Sequence, residues 1–183
     1  FDNNLFKNCI LQDKKLSFNN ISDVDSAYEC LNEFSEPTCI IIKHNTPCGA
    51  ASDSKIEKAF LKAYNSDSVS SFGGIVALNK KINKRIAQVL VSKFFEVIVA
   101  PSFSKISIEI LRSKKKLILI ETKKILQENK FEIKSVHGGY LVQEKNSIVF
   151  TKKNMKCVSN NKATDKQIND LIFFVKWIEL AIY

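Results

Sequence analysis

The sequence predicts an α/β protein: a layered, mostly parallel sheet with flanking helices. Three observations carry this reading. Short β-branched or aliphatic runs recur at 39–42, 75–78, 97–100 and 117–120. Between them lie segments whose apolar residues fall at helical spacing. The runs are continuous rather than alternating, as in strands buried on both faces, and strands separated by helix-length segments pair in parallel through crossovers.

Taken in order, Val24, Ala27, Tyr28, Leu31 and Phe34 predict a helix over 22–34, with Ser22 and Asp25 resembling a capping box in which Asp replaces Glu. Pro37 ends that unit. Cys39-Ile40-Ile41-Ile42 is the first strand, and it exits into a loop from Lys43 to Gly49 punctuated by Pro47 and Gly49. Ile56, Ala59, Phe60, Ala63 and Tyr64 form the next helical face. Ser70 to Gly74 is a turn, and Ile75 to Leu78 a strand. Ile86, Ala87, Leu90, Val91 and Phe94 mark a helix before the strand Val97 to Ala100, which stops at Pro101. A weaker helix through Ile108 and Leu111 leads to the strand Leu117 to Ile120.

Beyond residue 121 the character changes. Phe131 to Gln143 reads as extended structure broken at Gly138-Gly139, and Lys145 to Asn161 is polar without a strong period. Thr164 and Gln167 form another capping-box pattern, followed by an amphipathic helix through Ile168, Leu171, Ile172, Val175 and Ile178. Its apolar stripe asks for a partner surface at the chain's end, so a truncated chain is expected. Residue 1 is not Met, so the natural chain is not taken to begin there.

The 183 residues are 45% apolar and 26% charged, an ordinary globular composition sufficient for one domain or part of one. No apolar run approaches the roughly 20 residues of a membrane helix, and residues 1–15 lack the apolar stretch of a secretory signal. A cytoplasmic protein without membrane contact is expected. The formal charge is +9, which invites a nucleic-acid reading. Against it, all the basic residues except Arg85 and Arg112 are lysine, whereas bidentate readout favours guanidinium. A solvated lysine surface, in a chain rich in Lys, Asn and Ile, is the simpler reading. The five cysteines, Cys9, Cys30, Cys39, Cys48 and Cys157, include no C-x-x-C pair. With only His44 and His137 to add, no zinc spacing assembles. Neither metal nor disulfide is expected.

The segment richest in chemistry is Lys43-His44-Asn45-Thr46-Pro47-Cys48-Gly49. Ligands in open parallel sheets sit beyond the carboxyl ends of strands, where Lys43 and His44 are expected. A neighbouring cation and imidazole suit a reaction that needs a base near neutral pH and a donor to a developing oxyanion. Taken alone, a histidine at a strand end is more often structural. Cys48 has no nearby base to make it a nucleophile. Pro47-Cys48 lacks the second cysteine of a zinc deaminase motif, position 51 being Ala. Ser70 to Gly74 could bring backbone N–H groups close to a phosphate or base, although a plain turn explains it equally. Glu96, between Phe95 and Val97 at the start of a buried strand, needs a partner, and ribose hydroxyls would be good ones.

These stretches together resemble one family, the AICAR transformylase domain of the bifunctional purine biosynthesis proteins. Leu16-Ser17-Phe18-Asn19-Asn20-Ile21-Ser22-Asp23 is similar to the family's L-S-Y-N-N-I-x-D. Ile41-Ile42-Lys43-His44 through Gly49 resembles V-K-H-x-N-P-C-G, and Asp67 to Asn79 resembles D-P-x-S-A-F-G-G-I-I-A-x-N. Phe95 to Pro101 is similar to x-E-V-I-I-A-P, and Gly138 to Gln143 to G-G-x-L-V-Q. The resemblance implies zinc-free, cytidine-deaminase-like α/β units and formyl transfer from 10-formyltetrahydrofolate to the 5-amino group of AICAR. That amine is conjugated into the imidazole carboxamide, so its proton must leave as the C–N bond forms. By resemblance His44 accepts this proton and Lys43 steadies the charge on the formyl oxygen. Gly73 would lie against the base or carboxamide, Glu96 would bind the ribose hydroxyls, and Asn20 would line the same pocket. The resemblance also implies a homodimer with sites between subunits, a folate cosubstrate and no metal.

Residues 1–183 are expected to be the first half of that domain. Asn45-Thr46 departs from the family's x-Asn, and Ser68-Val69 from its Pro-containing context. The R-Y-G-x-N-P-H-Q and K-S-N-A-I-V-Y-A-K-N segments, most folate contacts and the cyclohydrolase domain are absent from this sequence. A fragment that keeps nucleotide binding or subunit pairing without turnover is the alternative reading.

Overall fold

Continuous apolar runs become strands with both faces covered. Ile75–Leu78 and Val97–Ala100 are buried at every position, and so is Thr38–Ile42. The computed structural model describes residues 9–12, 14–122, 131–145 and 152–178, and expectations that fall on 1–8, 146–151 and 179–183 lie outside these. Two units are distinguished, Phe1–Lys124 with Lys176–Tyr183, and Ile125–Val175.

In the first unit the elements run α1 (Phe18–Asn32), β1 (Thr38–Lys43), β2 (Thr46–Ser52), α2 (Ile56–Ser66), β3 (Ile75–Leu78), α3 (Lys84–Val91), β4 (Val97–Ala100), α4 (Lys105–Arg112) and β5 (Ile118–Glu121). The sheet order is β2-β1-β3-β4-β5. Pairings β3–β4 and β4–β5 are parallel, whereas β1 is antiparallel to both β2 and β3. Four strands therefore point one way and β1 the other, a layered, mostly parallel α/β sheet. Alternation along each strand divides the side chains between two faces. Cys39, Ile41, Val76, Leu78, Ile98, Ala100 and Leu119 share one core with the apolar faces of α2, α3 and α4. The α1 helix packs on β1, β3 and β4.

The stretch read as a loop from Lys43 to Gly49 is instead a hairpin that includes β2. Its register passes from Ile41 opposite Gly49 to Ile42 opposite Pro47, leaving Cys48 as a bulge. Pro47 is tolerated because β2 is the edge strand. The hairpin also changes the topology: the α2 crossover leaves from β2, so β1 lies between two strands it opposes. The opposite edge is covered where Leu11 N–H donates to Leu119 O (3.0 Å) and Glu121 N–H to Cys9 O (2.8 Å).

The cap of α1 is Ser17 with Asn20, not Ser22 with Asp25. Asn20 N–H donates to Ser17 Oγ (3.1 Å) and Ser17 N–H to Asn20 Oδ1 (3.2 Å). At the far end of the sheet, Asn79 ties β3 to the connection before β1. Its Oδ1 accepts from Thr38 N–H (2.8 Å), and its Nδ2 donates to Phe34 O (3.0 Å) and Glu36 O (2.6 Å). Asn79→Ala is expected to cost about 2 kcal/mol, read as a lower urea midpoint at unchanged m-value.

The second unit contains an antiparallel hairpin of β6 (Phe131–Val136) and β7 (Gly139–Glu144), broken at Gly138 (φ +85°). Helix α5 spans Asp165–Ile178. The expected cap forms there, Thr164 N–H donating to Gln167 Oε1 (2.9 Å) and Gln167 N–H to Thr164 Oγ1 (3.3 Å). Among the described residues no helix is long and apolar enough to cross a membrane.

Candidate active site

The β1–β2 connection is as tight as a hairpin allows. His44 and Asn45 are its two central residues, with φ of 55° and 58°. Two consecutive left-handed residues are the mark of a type I′ turn, whose twist matches that of the strands. Asn and His visit this region more readily than most residues. Asn45 is fastened to α1: its N–H donates to Asp23 Oδ1 (2.6 Å) and its Nδ2 to Ser22 Oγ (2.7 Å). His44 is thereby held exposed at the tip, and among the described residues its imidazole has no hydrogen-bond partner.

Lys43, half-buried at the end of β1, donates from Nζ to Phe72 O (2.6 Å). That carbonyl immediately precedes Gly73, whose φ of +72° lies in the left-handed region. Gly73 N–H donates to Phe94 O (3.0 Å), and the Phe72 and Phe94 rings stack with centroids 4.8 Å apart. Gly74 meets a tighter limit, since a Cβ there would lie 2.8 Å from Ile42 O. Glu96 N–H donates to Gly74 O (3.1 Å), and Glu96 Oε2 accepts from Asn20 Nδ2 (3.0 Å). Glu96 is exposed rather than buried between Phe95 and Val97, and its partner in this chain is the Asn20 amide.

The five residues singled out in the sequence, Asn20, Lys43, His44, Gly73 and Glu96, thus share one end of the sheet. Lys43 and His44 lie at the carboxyl end of their strand as expected, but that end coincides with the amino ends of β3 and β4. Ile42 pairs with Ile75, and Ile75 with Val97. Lys43 and His44 follow the carboxyl end of β1, but Gly73 and Glu96 precede the amino ends of β3 and β4. The antiparallel direction of β1 makes both statements true. What the sequence reading missed is the role of Asp23, Ser22 and Asn45. Two residues able to adopt positive φ after a β-branched run are the signal for the turn, and it is a faint one because neither is glycine.

The local electrostatics set the cysteines aside. Burial pushes the Cys48 thiol above its ordinary value, more than the opposing hydrogen bond with Ser71 (3.8 Å) lowers it. Burial lifts Cys30 to about 12 and raises Cys39 as well. Hydrogen bonding from Ser159 lowers exposed Cys157. The thiolate is the reactive species, so iodoacetamide at neutral pH is expected to label Cys157 first and Cys48 slowly, as peptide mass spectrometry would show. The Asp67 carboxyl, held below its usual range by Ser70, caps the turn that carries Ser71. Among the described residues, no three His, Cys, Asp or Glu side chains gather where they could hold a metal ion.

Residues 2–181 match the family model described as AICARFT/IMPCHase bienzyme. The chain is 45% identical over 174 residues to the bifunctional purine biosynthesis protein PurH of Caldicellulosiruptor bescii, covering 94% of this chain and 34% of that protein. It is 44% identical over 169 residues to the PurH of Thermoanaerobacter sp. strain X514, covering 92% and 33%. The chain spans about a third of the length of these curated relatives. Among solved structures, Acinetobacter baumannii RibD, form 2, aligns with a TM-score of 0.43 and 13% identity over 60% of this chain and 38% of that one.

Proposed function

The chain belongs to the AICARFT/IMPCHase bienzyme family, and from that premise we propose that it supplies the formyl-acceptor side of an AICAR transformylase site acting in cytoplasmic purine biosynthesis. In the full-length parent, formyl passes from 10-formyltetrahydrofolate to the 5-amino group of AICAR. The observation that carries this reading is the gathering of Asn20, Lys43, His44, Gly73 and Glu96 at one sheet end, where Asn20 bonds Glu96 and Lys43 bonds the carbonyl just before Gly73.

His44 takes the amine proton as the C–N bond forms, and an exposed imidazole on a rigid two-residue turn suits that task. Lys43, one residue earlier, donates toward the oxygen on which negative charge develops. The carboxylate of Glu96 accepts from ribose hydroxyls, with Asn20 orienting it, and Gly73 leaves room for the base to approach the backbone. No orienting group for the His44 imidazole lies among the described residues, which supports a site completed by other parts of the parent or by a second copy in a homodimer. No step in this scheme calls for a metal.

The test is formyl transfer by the full-length parent carrying Lys43→Ala or His44→Ala. Turnover close to the parent's in the folded His44 variant would remove His44 from this role.

A further inference from the structure

Asp23 is a carboxylate with 8% exposure in the second turn of α1. Among the described residues one donor reaches it, the Asn45 N–H at 2.6 Å. A buried carboxylate with so little compensation is a costly choice in a helix that has apolar residues for packing. That donor is the backbone of the residue after His44. Ser22, beside it, accepts from the Asn45 side chain at 2.7 Å. Three residues earlier on the same helix face, Asn20 donates to Glu96. Helix α1 therefore grips two separate parts of the site, the hairpin turn and the mouth of β4.

We propose that Asp23 is a positioning residue for formyl transfer, bracing the His44–Asn45 turn and so fixing where the imidazole is presented. The inference rests on the reading of His44 as the base. Two successive non-glycine residues at positive φ form a sparsely populated arrangement that persists when surrounding contacts over-determine it. A charge-assisted hydrogen bond to the second N–H, roughly twice as strong as a neutral one, is such a contact. Without it the turn visits other conformers, and His44 is in place in a smaller fraction of molecules.

The experiment uses the full-length parent with Asp23→Ala, Asp23→Asn and Ser22→Ala, each also made in a His44→Gly background. Asp23→Ala is expected to lower kcat about 10- to 100-fold, the order that small misplacement of a reacting group produces, with KM for AICAR changed less than about threefold. Asp23→Asn, whose Oδ1 still accepts from Asn45, recovers most of the loss, and Ser22→Ala loses a few-fold. In the His44→Gly background Asp23→Ala costs nothing further, because the two residues act as a unit. Hydrogen exchange of the Asn45 amide, faster in Asp23→Ala and Ser22→Ala than in the parent, reports the brace independently of activity. A folded Asp23→Ala with the parent's kcat, or an equal loss with and without His44, overturns the proposal. If Asp23→Ala does not fold, unchanged kcat and unchanged Asn45 exchange in Ser22→Ala overturn it. Should His44→Gly retain turnover while Asn45 exchange responds as expected, the base assignment fails and the brace stands as a structural contact only.

Discussion

Glycine at position 44 is expected to lower kcat for formyl transfer in the full-length parent by about 10²- to 10⁴-fold, the range a positioned general base supplies, with the fold intact. Glycine is the informative substitution because His44 sits at φ 55°. Glycine adopts that conformation without steric cost, whereas alanine keeps the Cβ that makes it costly and visits it less readily than histidine, so a loss in His44→Ala mixes chemistry with backbone. With glycine, stability should stay within about 1 kcal/mol of the parent. His44→Asn is a second control, since Asn also tolerates positive φ but offers no base. On the proposed reading the loss should fall on kcat rather than on KM for AICAR: the proton would leave only as the C–N bond forms, whereas Glu96 and Asn20 would meet the nucleotide in the ground state too. Steady-state kinetics beside a thermal melt checks this. A folded His44→Gly enzyme turning over near the parent's rate would take His44 out of the reaction.

The parts of this fold that could be read from residues are those where one physical term dominates. Ile75–Leu78 and Val97–Ala100 were legible to the residue because strands covered on both faces must be apolar throughout. The β1–β2 hairpin was not. Its turn residues lack glycine, and Pro47 within a strand argues against one unless that strand lies at an edge, which only the tertiary structure decides. The cap of α1 shows the same limit. Ser17–Asn20 and Ser22–Asp25 are successive patterns of the same form, and the earlier one prevails where Leu16 is buried just before it. Glu96 stands at the start of a buried strand. Phe95 and Val97 are buried and Glu96, between them, is exposed, as period-2 alternation demands at a strand's mouth. The motifs named the candidate residues, but their meeting at one end of the sheet, beyond the carboxyl end of β1 and the amino ends of β3 and β4, follows from the reversal of β1.

Gly49 shows how a residue read as loop punctuation can instead be a limit on space, and alanine there is expected to be the most damaging single-carbon addition in the first unit. A Cβ at position 49 would lie 2.3 Å from Ala63 O and 3.0 Å from Ala63 C. Those atoms are backbone of α2, and Ala63 O already accepts from Ser66 Oγ (2.6 Å), so the clash cannot be relieved by turning a side chain. The φ of Gly49 is not positive, so conformational freedom is not the issue. The glycine is there because β2 and α2 approach this closely. Overpacking costs about 1–3 kcal/mol where neighbours can shift. Here helix backbone must move, so Gly49→Ala should lie at or above the upper end, about 3 kcal/mol. The strain has a direction: β2 is pushed off α2, and the hairpin that carries Lys43 and His44 moves with it. Formyl transfer by the full-length parent should therefore fall even in the molecules that remain folded. Gly139→Ala is the matched control, since nothing lies within 4 Å of a Cβ there, and its effect should stay within about 0.5 kcal/mol. Urea melts of the two variants decide the matter, and a Gly49→Ala midpoint equal to that of Gly139→Ala would mean that β2 and α2 do not make this approach.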